Sequence, residues 1–208
     1  MSTKAPETAL LVTHGLCAGY GDIQVLFNLD FHVAPGEVLA LVGANGAGKT
    51  SLLRLLAGLA RPDEGEVRWN MAPIASEDFR AALLYLGHGA AVKEDLTAVE
   101  NLRFAARADG AACSRAEAEA ALARFGLAGR EDLPVRHLSA GQKRRVLLAR
   151  TLTRKAKLWI LDEPFTALDT KAVAALTGLV AGHLQAGGLA VITSHQAIPL
   201  AGGQVVEL

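Results

Sequence analysis

The residues best placed to do chemistry lie in one stretch, Gly43-Ala44-Asn45-Gly46-Ala47-Gly48-Lys49-Thr50-Ser51. Its spacing is G-x-x-x-x-G-K-S/T, a loop that cradles phosphate. Glycines let such a backbone wrap tightly, turning successive N–H groups inward onto phosphate oxygens. The amides and dipole at the start of a following helix add to the anion site. In that frame Lys49 reaches the β- and γ-phosphates, the Thr50 hydroxyl ligates Mg²⁺, and Ser51 bonds the α-phosphate. A chance glycine-rich turn would rarely satisfy the glycine, lysine and hydroxyl positions together. The stretch reads as a nucleotide site.

A second group of chemical residues closes the apolar run Leu158-Trp159-Ile160-Leu161, which continues into Asp162-Glu163-Pro164. Four apolar residues ending in a carboxylate predict a buried strand that delivers Asp162 to its C-terminal edge, where doubly wound sheets bind ligands. Asp162 suits a Mg²⁺ role behind Thr50. Glu163 beside it can polarise a water for in-line attack on the γ-phosphate. His195 follows another short apolar run, Leu189 to Thr193, in the same edge position. There it could bond the γ-phosphate and hold the attacking water.

Several elements must position these groups. Val38 to Val42 has no polar interruption and predicts a buried parallel strand leading into the loop, and Leu52 to Leu59 predicts the helix that leaves it. Leu10 to Leu16 and the alternating Asn28 to Val33 predict strands, with a turn at Gly19-Tyr20-Gly21-Asp22. Glu66 to Trp69 and Leu83 to Leu86 predict two more, the latter entering the central sheet. From about His88 to Lys157 the chain turns alanine-rich, with arginine interleaved. Capping boxes at Thr97–Glu100 and Ser114–Glu117 open helices there, and Ala118, Ala121, Leu122 and Phe125 share one apolar face. Ser139 and Gln142 form a third capping box before a helix from Lys143 to about Arg154, with Gly141 allowing close backbone approach. By itself that box is equally consistent with an ordinary helix cap.

The 208 residues carry 21 Lys+Arg and 21 Asp+Glu, a formal net charge of zero. A nucleic-acid-binding domain is expected to be strongly basic; no nucleic-acid partner is expected here. Every apolar run falls short of the roughly 20 residues a spanning helix needs. Met1-Ser2-Thr3-Lys4 lacks a signal-peptide pattern, and Cys17 and Cys113 lack metal-ligand spacing. The expectation is a cytoplasmic protein with free thiols, whose membrane role, if any, comes through a partner.

With these motifs in order along the chain, the sequence resembles the nucleotide-binding subunit of ABC transporters over essentially its whole length. The resemblance implies an α/β fold, a P-loop NTPase of the ABC type with a small antiparallel β part and a helical subdomain. It implies one domain, 1–208, with a core of about 1–87 and 158–208 and a helical part of about 88–157. Gly43 to Ser51 is similar to the Walker A loop, with Gly43, Asn45, Gly46, Ala47, Gly48, Lys49, Thr50 and Ser51 on the nucleotide. Tyr20 is similar to the aromatic that stacks on adenine. Leu138-Ser139-Ala140-Gly141-Gln142 resembles the LSGGQ signature, with Ala140 in place of the first glycine. Asp162 and Glu163 resemble the Walker B aspartate and catalytic glutamate. Asp169 resembles the D-loop aspartate, and His195 the switch histidine. The resemblance implies Mg²⁺-dependent hydrolysis of ATP in a head-to-tail dimer of two copies, the signature of one capping the ATP on the Walker A loop of the other.

One segment departs from that pattern. Where the family carries its Q-loop glutamine, this chain reads Gly87-His88-Gly89-Ala90. Counting back from Leu96-Thr97 puts His88 at that position, and a one-residue gap puts Gly89 there. A neutral imidazole at His88 could serve the water and Mg²⁺ in the glutamine's place, with pH sensitivity; a surface histidine is the other reading. The stretches Leu83 to His88, Leu96 to Leu102 and Leu158 to Asp169 look most like the haem exporter ATPase of cytochrome c maturation, the CcmA family. That resemblance implies a peripheral subunit on the cytoplasmic face of the inner membrane. Its implied partners are integral membrane subunits like CcmB and CcmC, and its implied task is release of the haem-loaded chaperone CcmE. The other readings are a soluble ABC ATPase in iron–sulfur assembly or nucleic-acid or ribosome work, and the ATPase of a different small exporter. No basic face, long coiled-coil insertion or tandem cassette favours the nucleic-acid alternative.

Overall fold

A computed structural model describes residues 10–20, 23–89, 91–194 and 203–208, the side chains of Tyr20 and Ile23 excepted. The chain divides into two compact units. The first takes the described residues of 1–85, 156–163 and 181–208, and the second 86–155 and 164–180.

The first unit holds an antiparallel sheet and a parallel one. Strands β1 (Leu11–Tyr20), β2 (Ile23–Val33), β3 (Val38–Val42), β4 (Glu64–Trp69) and β5 (Ala72–Pro73) come early in the chain. Helix α1 (Lys49–Leu56) follows β3, and α2 (Glu77–Ala82) follows β5. Later come β6 (Leu83–Leu86), β7 (Leu158–Leu161), β8 (Leu189–Thr193) and β9 (Gln204–Glu207). The antiparallel sheet runs β2-β1-β4-β5 and the other β6-β7-β8-β3-β9. In the latter β3 pairs parallel with β8 and β9, and β7 pairs parallel with β8. A single apolar cluster joins both sheets through α1. Leu16, Phe31 and Trp69 enter it from the antiparallel sheet, Leu52 and Leu56 from α1, and Leu41, Ile160 and Val191 from the parallel one. Strands β7 and β8 are buried along their whole length, which is why they read as unbroken apolar runs.

Two strands outrun their sequence patterns. β1 passes through Gly15, at φ 56°, and continues to Tyr20, so Gly19 and Tyr20 belong to the strand and not to a turn. Register shifts against β2 absorb that glycine, as bulges do. In β2, Asn28 takes φ 46° and its backbone amide donates to the Cys17 sulfur at 3.3 Å, which breaks the alternation before it. Gly21 and Asp22 lie outside the described residues.

The second unit contains α3 (Ala98–Ala108), α4 (Arg115–Arg124), α5 (Ala140–Leu148) and α6 (Arg150–Thr153). It also takes most of α7 (Thr170–Gln185), which ends in the first unit. Thr97, Ser114 and Ser139 each form a complete capping box. Helix α5 therefore begins at Ala140, directly after its cap, and the run expected to reach Arg154 divides at Ala149. Ala118, Ala121, Leu122 and Phe125 are all buried. The side chain of Asn101, buried in α3, organises the segment before that helix. Its Oδ1 accepts from the Lys93 amide at 2.7 Å, and its Nδ2 donates to the carbonyls of Lys93, Leu96 and Thr97.

In the first unit, the end of α7 lays His183 flat on Trp159 of β7, with ring centroids 3.9 Å apart and planes 6° from parallel. Gly188 makes room: a side chain there would run into the imidazole. Nε2 stands 3.1 Å from the Leu189 carbonyl and donates to it. Burial pushes the imidazole below its ordinary value of 6.5, against the opposing pull of the Leu189 and Lys157 carbonyls. The folded state therefore favours the neutral ring. Its contribution is complete above about pH 6.5 and declines as pH falls through the lower folded value. Melting curves from about pH 8 to about pH 5 should show the wild type losing more stability than His183→Phe, which keeps the stacking and cannot titrate; parallel losses would remove His183 as the cause.

Candidate functional site

Because β7, β8 and β3 are neighbouring parallel strands, their C-terminal ends meet at one edge of the sheet. The edge therefore gathers the loop after β3, Asp162 after β7 and the end of β8 (Thr193). The loop after β3 is tightly wound, with positive φ at Gly43, Gly46 and Gly48. Gly48 has φ 97°, and a Cβ there would stand 2.5 Å from Val25 Cγ1. Only glycine suits both the backbone and the space. The Lys49 side chain folds along the loop, its Nζ donating to the carbonyls of Gly43 at 2.6 Å and Ala44 at 2.8 Å. No side chain caps α1, in contrast to α3, α4 and α5. The first-turn amides thus face the loop with no capping oxygen, as an anion site requires. A cavity of about 220 Å³ opens here, lined by Asn45, Gly46, Gly48 and Lys49 to Ser51, with Val25 and Glu163 completing the wall.

Asp162 is 2% exposed. Its Oδ2 accepts from the Thr50 hydroxyl at 3.1 Å and its Oδ1 from the Thr193 hydroxyl at 2.8 Å. The Thr193 oxygen in turn accepts from the Glu163 amide at 2.7 Å. Glu163 is half-buried and takes φ 48°, a left-handed conformation that costs a non-glycine residue roughly 1 kcal/mol or more. Tyr85, at the end of β6, lies close by. Burial first, and the Asp162 charge second, hold its hydroxyl above the ordinary phenol range, while Arg54 of α1 opposes them. The donor pair Thr50 and Asp162 is all oxygen, exposed at Thr50 and buried at Asp162, which suits a hard cation such as Mg²⁺.

In the second unit, Ser139 Oγ accepts from the Gln142 amide at 3.3 Å, and the Gln142 side chain accepts from the Ser139 amide at 2.9 Å. A Cβ on Gly141 would stand 3.0 Å from the Ala167 carbonyl, so the start of α5 lies tight against the 164–169 segment. Asp169 caps α7, Oδ1 accepting from the Ala172 amide at 2.8 Å and Oδ2 from Arg145 of α5 at 2.8 Å. That amide first, and the guanidinium after it, hold the Asp169 carboxyl below the usual carboxylate range. His88 and Gly89 are exposed in a bend after β6. Buried Arg144 of α5 reaches that bend, donating to the carbonyls of Gly87 at 3.1 Å and His88 at 3.3 Å.

Asn45, Gly46, Gly48, Lys49, Thr50, Ser51, Asp162 and Glu163 are thus brought together in the first unit, with Gly43 and Ala47 completing the loop. Tyr20 is placed by its backbone pairing with Ile23, and its side chain lies outside the described residues, as does all of His195. Sequence reasoning missed Val25, Tyr85, Arg144 and Thr193. Thr193 carried one signal, a hydroxyl closing an otherwise apolar strand. The others looked like ordinary strand and helix residues.

The ABC transporter family model matches residues 26–166. A protein named cytochrome c biogenesis ATP-binding export protein CcmA, from Dechloromonas aromatica, is 53% identical over 190 residues, covering 90% of this chain and 93% of the relative. This chain belongs to the CcmA family of ABC transporter ATPases. Proteins of the same name from Nitrosomonas europaea and Salmonella typhi are 47% identical over 198 residues and 50% identical over 190, covering 94% and 90% of this chain and 93% and 90% of the relatives. Among solved structures, an ATP-binding subunit of an ABC transporter superposes with a TM-score of 0.79 at 33% identity, covering 89% of this chain and 79% of the other. A dimeric ATP-binding cassette in a post-hydrolysis state, bound to ADP and Pi, has the same fold, with a TM-score of 0.80 at 24% identity over 90% of this chain and 88% of that one. The family makes this chain an ATP-binding ATPase. Among the described residues no helix is long and apolar enough to cross a membrane.

Gly48→Ala should weaken ATP binding by about 5–150-fold, because strain and the Val25 contact together cost on the order of 1–3 kcal/mol; unchanged affinity by fluorescent-nucleotide titration would contradict this account of the loop. Arg144→Met should cost about 2 kcal/mol for its charged hydrogen bonds, a fall of roughly 4–8 °C in melting temperature for a chain of this size. An unshifted melt would show that the bend does not depend on Arg144.

Proposed function

We propose that this chain is the ATP-hydrolysing subunit of a membrane complex that exports haem or remodels its carrier during cytochrome c maturation. What supports the catalytic part is a cavity lined by Lys49, Thr50 and Glu163, with the buried Asp162 bonded to Thr50 behind it. The export part rests on the shared name of relatives about half identical to this chain across nine-tenths of its length. Residues 1–208 act as one nucleotide-binding domain.

In this reading Lys49 leaves the Gly43 and Ala44 carbonyls for the β- and γ-phosphates, exchanging neutral acceptors for charged ones. The inward amides and the start of α1 hold the phosphate oxygens, Ser51 bonds the α-phosphate, and Tyr20 stacks on the base. Thr50 and Asp162 hold the Mg²⁺ of the nucleotide, which spreads phosphate charge when bound. Glu163 orients and deprotonates the attacking water, with His195 on the γ-phosphate. A second copy completes the site with Ser139, Gly141 and Gln142 at the N-terminus of its α5, and the two Asp169 segments flank the contact. One Walker loop and one signature per chain call for an isologous dimer. His88 stands for the Q-loop glutamine toward the water and metal, with Gly89 the alternative position. The subunit sits peripherally on the cytoplasmic face of the inner membrane through permease subunits of the CcmB and CcmC kind.

Glu163→Gln should retain ATP and lower turnover by about 10²–10⁴-fold, the usual loss on removing a general base. Near wild-type turnover would sink its role. The same variant, purified from membranes in Mg·ATP, should bring down small polytopic subunits together with a haem chaperone. Recovery of other permeases would keep the ATPase and discard the haem assignment.

A further inference from the structure

Thr193 is the last residue of β8, the strand that lies between β7 and β3 in the sheet. It ends a run of four apolar residues and is itself fully buried. A buried hydroxyl is costly unless it is bonded. This one is bonded on both sides, donating to Asp162 Oδ1 at 2.8 Å and accepting from the Glu163 amide at 2.7 Å. The first bond sets the rotation of the Asp162 carboxylate, so that Oδ2 meets Thr50 at 3.1 Å. The second anchors the peptide of Glu163, which holds the disfavoured φ of 48°. One oxygen therefore governs the directions of two neighbouring carboxylates, one by its plane and the other by its backbone.

We propose that Thr193 is a positioning residue for ATP hydrolysis, whose hydroxyl aligns Asp162 toward the Thr50 side of the site and holds Glu163 in its working backbone conformation. This role rests on the metal and water roles proposed above for Asp162 and Glu163. Register makes the arrangement possible: Leu161 pairs with Ile192, so the next residues of the two strands, Asp162 and Thr193, stand side by side. Leu41 of β3 pairs with Thr193 itself, which puts the hydroxyl one strand away from the start of the phosphate loop. Valine has nearly the shape of threonine and lacks the hydroxyl, so Thr193→Val removes both bonds with little change in packing volume. Thr193→Ser keeps the oxygen and loses a methyl group.

The test compares Thr193→Val, Thr193→Ser and Glu163→Gln with the wild type. Turnover and KM for ATP are measured in one assay. In a second, fluorescent-ATP affinity is measured with EDTA and with saturating Mg²⁺. Thr193→Val should lower kcat about 10–100-fold while KM stays within about threefold, the signature of an interaction made in the transition state. Its affinity in EDTA should match the wild type, and the gain on adding Mg²⁺ should shrink by about two- to threefold, within the change allowed to KM, as expected on losing a bond that orients a metal ligand. Thr193→Ser should restore both. The role is overturned if Thr193→Val turns over within about twofold of wild type while Glu163→Gln is impaired, or if Thr193→Ser is as defective as Thr193→Val. Wild-type turnover by Glu163→Gln would instead overturn the reading of the site on which this role depends. Should Thr193→Val fail to fold, Thr193→Cys, whose thiol bonds only weakly, must show reduced turnover and a reduced Mg²⁺ gain; wild-type behaviour there overturns the role equally.

Discussion

A carboxylate sealed from solvent between two strand ends and a helix start must find its hydrogen bonds within the protein, because leaving it unpaired would cost several kcal/mol. Asp162 meets that demand with two hydroxyls, Thr50 on one oxygen and Thr193 on the other. The arrangement ties together the start of α1, the end of β7 and the end of β8. Each of those elements is otherwise independent in sequence. If any one strand slipped by a residue, its side chains would flip to the other face and the carboxylate would lose a partner. The sheet register and the site are therefore one constraint.

The apolar cluster works toward the same end. Helix α1 is held between two sheets by Leu52, Leu53, Leu55 and Leu56, all buried. That burial, more than helix propensity, keeps an eight-residue helix in place. Its N-terminus can then do without a capping side chain, since packing supplies the stability a cap would add. The helices of the second unit, α3, α4 and α5, take their caps from Thr97, Ser114 and Ser139 instead. A helix left uncapped at a glycine-rich loop is one ready to receive an anion.

The second unit has its own internal bracing. Arg145 and Arg144 stand next to each other on α5, and they hold different segments: Asp169 at the start of α7, and the carbonyls of Gly87 and His88 after β6. Helix α5 thus anchors both of these segments. At the bend it is the backbone that Arg144 grips, so the grip does not depend on which residue, histidine or glutamine, occupies the position.

By itself the sequence determined whatever depends on neighbours along the chain. The phosphate loop, the three capping boxes, the apolar face of α4 and the buried strands β3, β7 and β8 all follow from local spacing and composition, and they were legible for that reason. The extent of β1 and β2 was not, because register shifts and the positive φ of Gly15 and Asn28 break the period-two pattern that reveals a strand. The division of α5 from α6 at Ala149 left no mark in composition. What only the tertiary structure decided is which distant residues meet: Val25 against Gly48, Arg144 against the bend at His88, and Thr193 between Asp162 and Glu163. Such contacts depend on strand order and register, which bring together residues more than twenty positions apart, and no local pattern encodes a partner at that distance.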